Sequence, residues 1–103
     1  MPRPRAKQTV TQATLEHHFR QQGLWEQIES GALREVVVAQ APSHAIPGGT
    51  SRIINHVRGT IYVATTHQLL DQQGSPYNAK SQPYHWHAKA KDLPDGTRLV
   101  SPS

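Results

Sequence analysis

Cysteine is absent from the 103-residue chain, and no stretch approaches the roughly 18 consecutive apolar residues that a membrane-crossing helix needs. The first absence excludes disulfide staples, thiolate nucleophiles, iron–sulfur clusters and cysteine-ligated zinc, so any metal would have to be held by histidine and carboxylates. The second argues against a membrane partner, and a small cytoplasmic protein is the expectation. Hydrophobic residues make up only 35% of the sequence, which points to a thin core under one sheet. There is no internal repeat, and the Gly48-Gly49-Thr50-Ser51 run lacks a Walker lysine and its glycine spacing. Ser43 and His44 sit in a proline- and glycine-rich stretch without the strand–turn–helix setting of a serine hydrolase.

What the chain does have is positive charge and histidine. Eleven Lys and Arg outnumber seven Asp and Glu, giving a formal charge of +4, and seven histidines would add to it as pH falls through their ordinary range. A polyanion is the partner class this balance favours, with affinity that rises on acidification.

The organisation expected is one domain. Residues 1–8 combine two prolines with three cationic side chains and read as a disordered basic arm, residues 9–100 as a single domain, and residues 101–103 as a frayed tail. Thr9 or Thr11 can cap a helix running to Gln22, with Leu15 and Phe19 one turn apart, and Gly23 ends it. A shorter helix follows over Leu24–Ser30, stopped by Gly31. The β-branched run inside 34–40 predicts a central, deeply buried strand, and Ala41–Ser51 an exposed loop. Strands are expected over 52–57 and 60–66, with Arg58-Gly59 as either a tight turn or a bulge. Residues 67–71 suggest one helical turn, 72–83 a long polar loop, Pro94-Asp95-Gly96 a turn, and 97–100 a last edge strand. Two helices ahead of several short strands predict an α+β fold, an N-terminal helical pair packed on one face of a small antiparallel sheet of three to five strands.

The strongest functional signal lies at Tyr84–Lys91. Its alternation predicts a half-buried strand with Tyr84, Trp86, Ala88 and Ala90 inward and His85, His87, Lys89 and Lys91 in an outward stripe about 20 Å long. Lysine and arginine neutralise phosphates while neighbouring aromatics stack on exposed bases, so Arg52, Arg58, Lys89 and Lys91 with Tyr77 and Tyr84 form a candidate nucleic-acid surface. Its expected ligand is RNA rather than DNA.

The sharper form of that expectation is a metal-independent ribonuclease without cofactors. Histidine near its ordinary pKa can move the protons of 2′-OH attack, so His85 or His87 would serve as acid or base, His56 or His67 as its counterpart, and Arg58, Lys89 or Lys91 as the electrostatic clamp. The element order resembles that of small bacterial ribonuclease toxins of the barnase, colicin and RelE type, which place helices before an antiparallel sheet and cut RNA on its open face; the resemblance implies RNA cleavage on the corresponding face here. His85-Trp86-His87 is similar to the His-hydrophobic-His motif of rolling-circle nucleases and relaxases, but no tyrosine follows Tyr84 to act as their nucleophile.

Two other classes compete. His85 and His87 share a strand face about 6–7 Å apart and could hold one metal ion with help from His56, His67 or Asp71. Alternatively, the protein is an accessory factor or inhibitor that docks a protein partner through an edge strand and exposed aromatics.

Overall fold

The computed structural model describes residues 6–44, 46–74, 86–93 and 95–102, without the side chain of Trp86. In chain order its elements are β1 (Ala6–Thr9), α1 (Gln12–Gln21), α2 (Leu24–Ser30), β2 (Arg34–Pro42), β3 (Thr50–Arg58), β4 (Ile61–Leu70), β5 (Trp86–Asp92) and β6 (Thr97–Val100). The fold is α+β, but the sheet has six strands rather than three to five and is mixed. Its order is β1-β6-β5-β4-β3-β2, with β1 parallel to β6 and every other neighbour antiparallel.

Local chemistry sets the helices. Thr11 caps α1, its hydroxyl accepting the Thr14 N–H at 3.1 Å, and Leu15 and Phe19 recur one turn apart on the buried side. Gly23 adopts φ 65°, a left-handed value that turns the chain from α1 into α2, and Gly31 at φ 81° closes α2 with its N–H on Ile28 O. Leu24, Trp25 and Ile28 then join Leu15, Phe19 and Leu33 with Ile54, Ala64, Ala88 and Leu99 of the sheet in one buried cluster. Phe19 and Trp25 meet with ring centroids 4.8 Å apart.

Four elements differ from the sequence expectation. Residues 6–8, read as part of the arm, belong to β1, where Ala6–Thr9 pair in register with Thr97–Val100; β6 is therefore interior and β1 the edge. Residues 1–5 lie outside the described residues. β2 is the opposite edge and the least buried long strand, with Val37 45% and Val38 53% exposed, because a run of valines specifies extended backbone but not a place in the strand order. Residues 67–70 continue β4 instead of turning helical, since Thr50–Ile53 supply a ladder partner for each of them. That ladder, with β2 reaching Pro42, shortens the expected 41–51 loop to 43–49. Arg58-Gly59 belongs to a turn, as Arg58 ends β3 and Gly59-Thr60 link it to β4.

The fourth difference decides the site. Thr65 pairs with Ala90 and Thr66 with Ala88, so Lys89 is an extra residue, a β-bulge in β5. Directly opposed residues of a ladder share a face. Ile54, Thr66 and Ala88 therefore form one row on the core face, and His56, Ala64, Lys91 and Leu99 another. The far face carries Ile53, His67 and His87 in one row and Asn55, Thr65, Ala90 and Val100 in the next. The bulge thus sends Ala88 and Ala90 to opposite faces and turns Lys91 off the expected stripe into the interior, where it is 4% exposed. Helix α1 satisfies the irregular backbone at this point: Gln12 Nε2 donates to Ala88 O at 2.8 Å, and the Ala88 N–H donates to the Glu16 carboxyl, which burial holds above its ordinary pKa.

Candidate functional site

His67 and His87 face each other across the β4–β5 ladder on the far face, with ring centroids 6.4 Å apart. The Ser51 hydroxyl, reaching diagonally from β3, is hydrogen-bonded to His67 Nε2 and fixes that ring. Burial, then the neighbouring His87 and Lys89, hold the His67 imidazole below its ordinary pKa, so it is neutral and able to accept a proton near pH 7. Lys89 stands two residues beyond His87, placed there by the bulge.

A second polar group runs across the same face. Arg98 of β6 donates from Nη1 to both oxygens of Asp92 at 2.9 and 2.8 Å, and from Nη2 to Thr65 Oγ1 at 2.6 Å. Thr65 in turn donates to Asn55 Oδ1 at 2.7 Å, so the relay links β5, β6, β4 and β3. Beside it lies a groove of about 370 Å³ with apolar walls from Val38, Ile53, Ala90 and Val100, and with Lys7 and Lys89 among its cationic lining. Among the described residues no second layer of helices or strands lies over this face.

The sequence-derived candidates separate between the faces. His67, His87 and Lys89 come together on the far face, whereas His56 and Lys91 lie in the core layer at 0% and 4% exposure. Arg52 lies opposite Gln68 in the core-face rows and is half-buried. Arg58, at the exposed end of β3, donates to Gln27 Oε1 of α2. His56, Arg52, Arg58 and Lys91 are therefore removed from the imidazole pair, because an alternating pleat places even and odd positions of β3 on opposite sides and the bulge reverses the sides in β5. Tyr77, Tyr84 and His85 lie outside the described residues. Among the described residues no three histidine or acidic side chains converge as a metal site would require, and no helix is long and apolar enough to cross a membrane.

A larger cavity, about 740 Å³, lies on the other side, between α2 and the start of β4, lined by Leu24, Gln27, Arg58, Tyr62 and Lys91 among others. Lys91 Nζ donates there to Asp92 O at 2.8 Å, and burial pulls its amine below the ordinary lysine pKa, with Asp92 opposing that shift and Arg58 adding to it. No imidazole lines this cavity, so the far face holds the better set of proton-transfer groups.

His56 has a structural role with a measurable signature. It is fully buried, its Nε2 hydrogen-bonded to Thr66 Oγ1 at 2.7 Å, and burial pushes its pKa from 6.5 down to about 4. The unfolded chain therefore takes up this proton first on acidification, and stability present above pH 6.5 is lost as pH falls towards 4, by about 3 kcal/mol in total. Urea titrations of wild type and His56→Gln at intervals between pH 7 and pH 4 should show the variant with the flatter profile. Parallel profiles would assign the acid sensitivity to other groups.

Sequence reasoning missed Ser51, Asn55, Thr65, Asp92 and Arg98. One signal for the last two was present: they stand symmetrically about Asp95 in the Pro94-Asp95-Gly96 turn, which sets them opposite each other in a hairpin. No family model, curated protein or solved structure matches the chain.

Proposed function

We propose that the protein binds RNA across the far face of its sheet and cleaves it without a metal, using His67 and His87. The observation that carries this reading is the opposition of two imidazoles on adjacent strands, one held neutral, with Lys89 beside them. In the proposed step His67 removes the 2′-OH proton, the 2′-oxygen forms a bond to phosphorus, and Lys89 stabilises the added negative charge. The bond from phosphorus to the 5′-oxygen then breaks as His87 returns a proton to it, leaving a 2′,3′-cyclic phosphate and a 5′-hydroxyl. After β1, two helices precede five strands that pair antiparallel, an order that resembles that of the ribonuclease toxins and supports the same reading by analogy.

Incubating the protein with a labelled RNA oligonucleotide between pH 5 and pH 8, with and without chelator, tests the chemistry. Expected are chelator-insensitive fragments ending in cyclic phosphate, and a DNA oligonucleotide that is bound but left intact. RNA that stays whole at every pH would overturn the cleavage step. The interface is tested separately, by the salt dependence of binding: Lys7→Gln with Lys89→Gln should reduce the slope of log affinity against log salt by about 1.4 if each lysine neutralises one phosphate of a single strand. An unchanged slope would remove both residues from the contact surface.

A second reading has its own support in β2, whose outer edge has no partner strand among the described residues and whose Val37 and Val38 are half-exposed. A protein partner could add a strand there, as an accessory factor or inhibitor would require. Saturable, salt-insensitive complex formation with another protein, in the absence of any RNA affinity, would favour it.

A further inference from the structure

The relay beside the imidazole pair has a fixed polarity. Arginine has only donors, so Thr65 Oγ1 must accept from Arg98 Nη2 and is left to give its own hydrogen to Asn55. Oδ1 of Asn55 thus lies toward Thr65, and the amide NH2 is turned away from it. The chain of dependence starts at Asp92, whose two oxygens both receive Arg98 and hold the guanidinium in place.

The nitrogen-bearing side chains that line this groove offer hydrogen atoms rather than lone pairs, and Ser101 adds a hydroxyl that can do either. Asn55 contributes two N–H donors, Arg98, Lys7 and Lys89 contribute only donors, and the Asn55 carbonyl is already engaged by Thr65. The apolar walls enclose a groove of about 370 Å³, within the range of small-ligand pockets. Its position adjoins the proposed reaction centre, since Ile53 of the groove wall is the ladder partner of His67 and Lys89 follows His87 by two residues.

We propose that this groove is a nucleobase subsite that selects bases carrying an oxygen at C4 of a pyrimidine or C6 of a purine, uracil over cytosine and guanine over adenine, through the amide donors of Asn55. The inference rests on the RNA-binding reading and adds the class of base that the same face prefers. Uracil and cytosine differ at C4, and guanine or hypoxanthine and adenine at C6, where an oxygen accepts and an amine donates; the neighbouring ring nitrogen changes with it, from N–H to lone pair. An amine aimed at the Asn55 NH2 would set donor against donor and leave that contact without a hydrogen bond.

Binding of 2′-O-methyl octamers, which lack the attacking hydroxyl, tests base preference without cleavage. Wild-type protein is expected to bind the uridine octamer more tightly than the cytidine octamer, and a hypoxanthine octamer more tightly than an adenine one, by about fivefold to a hundredfold. Asn55→Asp keeps an acceptor for Thr65 but replaces the outward donors by a second acceptor; it should weaken all four ligands through its charge and erase or invert their ranking. Equal wild-type affinity for all four, or preference for the amine-bearing bases, overturns the subsite while leaving the RNA interface standing. Failure to bind any of them overturns the interface and the subsite together. The wild-type comparison decides the matter even if the variant does not fold.

Discussion

Replacing His67 or His87 by alanine is expected to lower the rate of RNA cleavage by about 10²–10⁴-fold each, the usual contribution of a positioned acid or base. Affinity for uncleavable RNA should change far less, because Lys7, Lys89 and the groove remain in place. The double variant should be little worse than either single one, since the two rings act on opposite ends of one proton-transfer sequence. The pH profile separates a chemical role from a structural one. His67 is held below its ordinary pKa, so loss of its neutral form should reduce the rate only on the acid side of the profile. Single-turnover rates across pH 5–8 would supply both readings, and a His67→Ala enzyme with unaltered rate and profile would sink the mechanism.

The second large effect concerns stability. Phe19→Ala is expected to cost about 3–5 kcal/mol, the range for truncating a buried aromatic. Phe19 is fully buried, pairs with Trp25, and lies in the cluster that joins both helices to β3, β4, β5 and β6. A loss of this size is a large fraction of the stability of an ordinary domain, about 5–15 kcal/mol, so the variant should unfold at much lower urea with an unchanged dependence on denaturant. Val38→Ala is the contrasting case: at 53% exposure on the edge strand it should shift the midpoint by less than about 0.5 kcal/mol. Comparable losses at the two positions would mean that the core is not centred on α1.

That contrast also shows where the sequence was legible. Helix α2 is legible to its ends because Gly23 and Gly31 mark both boundaries; for α1 both Thr9 and Thr11 offer a cap, and the structure uses Thr11 while Thr9 ends β1. Strands β3 and β4 are legible in their β-branched content, but the expected helical turn over 67–71 hides the pairing of His67, a candidate by its chemistry, with His87 across the β4–β5 ladder. The burial of β2 is not legible, because three valines look alike at the edge and at the centre of a sheet. Alternation alone puts Lys91 on the far face because a period of two assumes an unbroken pleat, and nothing in His87-Ala88-Lys89-Ala90 marks the extra residue. The Asp92–Arg98–Thr65–Asn55 relay joins four strands and exists only once their register is set, so local pattern could not reveal it.

The parallel pairing of β1 with β6 imposes an order of assembly during synthesis. Residues 6–9 leave the ribosome first, yet their ladder partner, residues 97–100, emerges some ninety residues later, so this pairing has the longest sequence separation in the sheet. Lys7 and Arg98 are register partners in it, and both border the same groove. A nascent chain can therefore build its helices and the β2–β4 meander while this groove is still open on one side. On the proposed reading, the groove could engage RNA only once residues 97–100 have paired with residues 6–9.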